Sequence, residues 1–126
     1  MNRVEAIRNV VFALLGGMGL VFKQAYQGPL AEFVHSYGGN FVVSFALYFA
    51  AVSATNRLGL GRPAAVAATL LAVEVFEVTD GFGVMSNVYD AVDLAANAAG
   101  VAVAVALDLA TLRLLVNRWK SRDENT

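Results

Sequence analysis

Asp90, Asp93 and Asn97, with Gly100 behind them, are the residues of this chain whose types and spacing point most directly to chemistry. Asp93, Asn97 and Gly100 recur at i, i+4 and i+7, so they share one face of a helix. Two carboxylates and an amide therefore open a stretch whose continuation, Ala98 to Leu107, has no polar side chain. Polar groups in such surroundings are costly unless partnered. They either bond to neighbouring helices or hold a ligand. Glu74 and Glu77, three residues apart, form a second acidic face. Several carboxylates crowded in low dielectric cannot all ionise cheaply, which favours a cation among them. Oxygen donors of this kind suit Mg²⁺ or Ca²⁺, and His35 would bias the set towards a transition metal. The metal, and any cofactor, stays unassigned.

A plainer reading stands beside this one. Asp90 at a helix start reads best as an N-cap, favoured there by the helix dipole. Asp93 and Asn97 lie deeper, where capping explains less, and Glu74 sits near the end of an apolar helix. For Glu74, Glu77, Asp93 and Asn97, interhelical bonding and a binding site both remain open. His35, a single histidine expected in an outer loop, reads on its own as a solvated or interfacial residue. Asp108 belongs near the cytoplasmic end, where Arg57, Arg62 or Arg113 can neutralise it in a structural pair.

The elements that must position these residues follow from composition. The 126 residues are 58% hydrophobic and 15% charged, with a mean hydropathy of +0.60. Soluble domains run at about 45–50% apolar and about 25% charged, so a lipid bilayer is the expected partner. Thiol chemistry is excluded because there is no cysteine. The net charge of −1 gives no basis for nucleic-acid binding. Four apolar blocks predict helices over about 9–22, 40–54, 63–79 and 93–116. Pro63 suits a helix start, while Gly59, Gly61 and the run Gly81-Phe82-Gly83 mark turns. The first block also fits a signal peptide, but no small-x-small cleavage site follows Phe22.

The basic residues test the count. Arg3 and Arg8, Arg57 and Arg62, and Arg113, Arg118, Lys120 and Arg122 fall in alternate segments, leaving Lys23 alone on the other side. The positive-inside rule then gives four spans with both termini cytoplasmic. The expected fold is an all-α, polytopic membrane bundle of four transmembrane helices, residues 1–126 as a single domain, multi-pass in a cytoplasmic membrane. Trp119 sits where an interfacial anchor belongs, and the polar tail from Ser121 to Thr126 is expected to fray. In this topology His35, Glu74, Glu77, Asp90, Asp93 and Asn97 all reach the outer leaflet, with the third and fourth helices as antiparallel neighbours whose acidic faces can meet. Gly16, Gly17 and Gly19, and the series Ala96, Gly100, Ala104, are small-residue faces for helix packing, and the series would also serve a homodimer.

From His35 onward the chain resembles the VanZ-like family of small bacterial membrane proteins. The matching pieces are His35 ahead of an early helix, Glu74 or Glu77 ending a helix, and the Asp-x-x-Asp-x-x-x-Asn-x-x-Gly run of Asp90, Asp93, Asn97 and Gly100. The resemblance covers roughly residues 32–107. It departs in lacking an Arg in the loop before Asp90 and in carrying Ala104 where a further Gly is common. It implies a protein of the bacterial cell envelope, linked by name to glycopeptide resistance, and brings no settled chemistry with it. The leading expectation for such a protein here is that its outer-leaflet carboxylate and amide cluster binds a cation or a lipid head group. Two alternatives stand: a small dimeric transporter or channel, since intramembrane carboxylates relay protons or bind cations, and a structural subunit of a larger membrane complex. An enzyme is the least supported class, because no nucleophile elbow, phosphate loop or metal-hydrolase spacing occurs. No catalytic residue is assigned.

Overall fold

The Asn2 side chain accepts the Glu5 N–H at 2.8 Å and so caps the first helix, α1 (Arg3–Phe22). The cap satisfies one of the amides that every helix start leaves without a partner. This is the start of a computed structural model that describes residues 2–79 and 91–126. A 3₁₀ turn, Lys23–Ala25, carries the chain off α1. Leu30 then takes a left-handed conformation, with φ of 60°, and opens α2 (Ala31–Arg57). Gly59, with φ of +73°, supplies the turn into α3 (Arg62–Val78), where a side chain would be strained. Pro63 occupies the first turn of α3, where its missing N–H removes no helical bond. The last helix is α4 (Ala91–Glu124). Every regular element among the described residues is helical.

Several boundaries differ from the sequence reading, α1 starting at Arg3 rather than near residue 9. Helix α2 starts at Ala31, so His35, Tyr37, Gly38 and Gly39 are helical rather than part of an outer loop. The glycine pair looks like a breaker, but a helical glycine costs only about 1 kcal/mol. Here one serves close approach: a Cβ on Gly39 would come within 3.1 Å of Lys23 Nζ. Helix α4 runs to Glu124, so the expected frayed tail is helical almost to the end. At ~1.5 Å per residue its 34 residues extend roughly 51 Å. Asp90 and the Gly81-Phe82-Gly83 turn lie outside the described residues.

Helix α2 packs against the other three, and α3 also contacts α4. Side-chain bonds fix the directions: Asn9 of α1 reaches Ser53 near the end of α2, while Asn40 and Ser44 near the start of α2 reach Asp93 and Asn97 near the start of α4. The start of α1, the end of α2 and the start of α3 therefore share one end of the bundle, called the inner end below. Phe12 stacks on Phe49 at 4.7 Å between centroids, and Phe45 and Tyr48 meet Phe49 edge-on at 5.2 and 5.4 Å. These rings, with Val52, Ala65, Val101 and Ala104, form the small apolar core.

The larger pattern is an inversion. Buried positions include Asn9, Ser44, Thr69, Glu77, Asn97 and Asp108, while Ile7, Leu14, Val21, Leu71 and Leu114 are all more than half exposed. Three stretches, Arg3–Ala25, Ala31–Arg57 and Ala91–Glu124, are long and apolar enough to cross a membrane. At 17 residues α3 is shorter, roughly 26 Å.

The buried seam of α4 is Asn97, Gly100, Val101, Ala104 and Asp108. Gly100 lies so close to Phe41 O and Ser44 that α2 and α4 could not keep their separation around a side chain there. Gly16 plays the same part between α1 and α2, where a Cβ would meet that of Ala46 at 2.7 Å, and Gly19 packs near Val42. Two expected packing residues fall elsewhere. Gly17 is exposed with open space beside it, and Ala96 sits half-buried beside the seam, with Asn97 taking the place expected for it.

Candidate functional site

Asp93 and Asn97 do come to one place, one turn apart at the start of α4. Their bonds arise from α2: Asn40 Nδ2 donates to Asp93 Oδ1 at 2.6 Å, and Ser44 Oγ donates to Asn97 Oδ1 at 2.9 Å. Asn40 and Ser44 share the i, i+4 spacing of their partners, so two successive turns of parallel helices are laced together. Asn97 is 3% exposed, and among the described residues its Nδ2 has no hydrogen-bond partner. A buried amide donor left unpaired costs about 1–3 kcal/mol.

The other expected members stand on α2 and α3. Glu77 is buried and Glu74 half-buried on α3. His35 stands on α2, where its Nε2 donates to Tyr26 O at 2.8 Å, and its own carbonyl accepts from Lys23 Nζ at 3.0 Å. It holds the 3₁₀ turn against α2. Among the described residues no three His, Asp or Glu side chains are grouped to hold a metal ion.

Beside the lace is a cavity of about 650 Å³ between the outer ends of α1, α2 and α4. Rings of Phe33, Tyr37 and Phe41 form one wall, and Ala95, Ala96 and Ala99 form the facing one. Lys23 is the charged side chain in its lining. Among the described residues Lys23 pairs with no carboxylate. The size falls within the ~300–1,000 Å³ range of small-molecule sites. The aromatic and alanine faces oppose each other because α2 presents its i, i+4 ring positions Phe33, Tyr37 and Phe41, and α4 its i, i+4 positions Ala95 and Ala99.

The inner end holds the densest polar cluster. Asp108 of α4 is fully buried and accepts four bonds. Arg8 Nη2 reaches Oδ1 at 2.8 Å, Arg62 reaches Oδ2 through Nε at 2.8 Å and Oδ1 through Nη2 at 3.2 Å, and the Tyr48 hydroxyl donates to Oδ2 at 2.6 Å. Glu5 takes Arg62 Nη2 at 2.7 Å. Arg8 also donates to Asn9 Oδ1, Thr111 Oγ1 and the Asp108 carbonyl, and lies 6.0 Å from the Phe49 ring. Two cations and two anions balance, and the carboxylate of Asp108 has used the lone pairs it has. One residue set from α1, α2, α3 and α4 is tied at a single carboxylate. The sequence reading foresaw Arg62 as a partner for Asp108; it missed Arg8, Glu5 and Tyr48, and Arg57 and Arg113 form no ion pair among the described residues.

No protein-family model, curated protein or solved structure matches the chain.

Proposed function

We propose that this chain is an integral membrane protein of four spanning helices with both ends cytoplasmic, and that its outer-leaflet face, where α2 meets α4, binds a lipid head group. The observation that carries the reading is the inverted distribution of polarity. A bundle with Asp108, Asn97 and Glu77 inside and Ile7, Leu14, Val21 and Leu114 outside is arranged for an apolar solvent. Eight of the nine basic residues belong to the inner end and the segments flanking it, as the positive-inside rule asks of a cytoplasmic side. Helix α3 is short for a ~30 Å hydrocarbon core; its count as a span rests on the alternation of ends, with Arg62 at the inner cluster and α4 entering from the outer side.

Of the two ligand classes expected, the head group is favoured over the cation. Among the described residues no three acids or histidines are grouped to hold a metal ion, and the face adjoins an apolar cavity. The VanZ-like resemblance is part of this proposal, as is a place in a bacterial cytoplasmic membrane. It rests on Asp93, Asn97 and Gly100, which do lie on one face of α4.

Two measurements test the reading. Because the chain has no cysteine, Glu32→Cys and Asn125→Cys provide single labels. Glu32→Cys is expected to react with a membrane-impermeant maleimide in intact cells, and Asn125→Cys only after permeabilisation. Asp93→Ala and Asn97→Ala are expected to insert normally yet fail to restore glycopeptide tolerance to a strain lacking the gene. Full restoration by both variants would end the head-group reading.

A further inference from the structure

We infer that the cavity between the outer ends of α1, α2 and α4 is the seat of one phospholipid, with an acyl chain between the α2 rings and the α4 alanines and the phosphate at Lys23. The inference deepens the head-group reading and depends on the bilayer being this chain's solvent. Three observations carry it. The cavity is open at the side of the bundle, about 650 Å³ in volume, and its walls are almost wholly apolar. In a bilayer such a space opens onto hydrocarbon, and water entering it would find almost no polar partner; a lipid chain fills it at no such cost. The other two observations concern charge and placement.

Lys23 is the single basic residue outside the two ends of the chain and the α2–α3 turn, and it lines this cavity. The outer half otherwise carries only acids, Glu32, Glu74, Glu77 and Asp93 among the described residues. A phosphate approaching this face therefore has one cation to meet. Lys23 is also held rather than loose. One N–H goes to His35 O at 3.0 Å, which leaves two donors of the ammonium for a ligand, and His35 is itself fixed by Tyr26 O. Finally, the cation sits just past the end of α1 beside Gly39, at the outer end of that candidate span. The absence of a side chain at Gly39 leaves room for that ammonium.

The test is native mass spectrometry of the full chain in mild detergent with added dioleoyl phosphatidylglycerol. Wild type is expected to retain one lipid per chain. Ala99→Trp, which fills the alanine wall, should lower retention at least ten-fold. Ala95→Leu is the smaller second filler and should lower it several-fold. Lys23→Gln should weaken retention about five-fold, and inorganic phosphate alone should not displace the lipid. Ala110→Trp, on an exposed face of α4 away from the cavity, should match wild type.

Equal retention by wild type and both filled variants overturns the proposal. So does loss of a dimer mass in Ala99→Trp, which would make a second copy of the chain the occupant. Unchanged retention in Lys23→Gln overturns the phosphate contact. If Asp93→Ala loses function while the filled variants retain lipid, this inference falls and the head-group reading stands. If alkaline carbonate extracts the wild-type chain from membranes, the bilayer reading falls first.

Discussion

The two ends of the bundle solve the same problem in opposite ways. At the inner end, two guanidinium groups and a phenol converge on Asp108 until its carboxylate is saturated, Glu5 takes up the second arginine, and all four helices contribute. At the outer end the bonds Asn40–Asp93 and Ser44–Asn97 lace α2 to α4, the Asn97 Nδ2 has no partner among the described residues, and an apolar cavity lies between α1, α2 and α4. Buried charge is tolerated only when every partner is present, so the inner end can do little except hold. Among the described residues the outer end keeps a buried donor unpaired beside a cavity, which suits the binding role proposed for it.

The sharpest way to break this contrast is Asp108→Ala. It strands Arg8 and Arg62 without their shared anion, and a loss of about 3–5 kcal/mol is expected, read as unfolding in mild detergent at temperatures where wild type survives. A loss as small as that of an ordinary surface change would mean that the inner cluster does not hold the bundle. Next comes Gly100→Ala. The added methyl forces α2 from α4 at Phe41 and Ser44, with an expected cost of about 1–3 kcal/mol in the same melt. The smallest effect is expected from the pair Ser44→Ala with Asn97→Leu. Both partners of one bond are then replaced by apolar groups and the unpaired amide disappears, so stability should stay within about 1 kcal/mol of wild type in the same melt. A large destabilisation there would make the outer lace a clamp like the inner one.

Much of the outer half was legible from spacing. Asp93, Asn97 and Gly100 at i, i+4 and i+7 named the face, and the alternating arginines named the ends. What spacing cannot carry is the identity of a partner on another helix. Arg8 looked like a flanking charge and Tyr48 like one ring in an apolar run, yet both close on Asp108, 100 and 60 residues away. The bonds that Asn40 and Ser44 of α2 make to Asp93 and Asn97 were equally out of reach of spacing. The second helix was expected from about Asn40, or Tyr37 at the earliest, and starts at Ala31. Contact with Lys23, invisible in a linear sequence, makes a glycine useful inside a helix at that point.

The span of 100 residues between Arg8 and Asp108 also orders the birth of the molecule. The first helix emerges with a guanidinium whose counter-anion in the last helix has not yet been synthesised. Until α4 arrives, Arg8 has on its own helix only the Asn9 amide oxygen at 2.7 Å and Glu5 at 3.9 Å, and Arg62 joins Glu5 a little later. Final locking is thus reserved for the closing moments of translation, and a polypeptide cut short after α3 would be left with two arginines to one carboxylate.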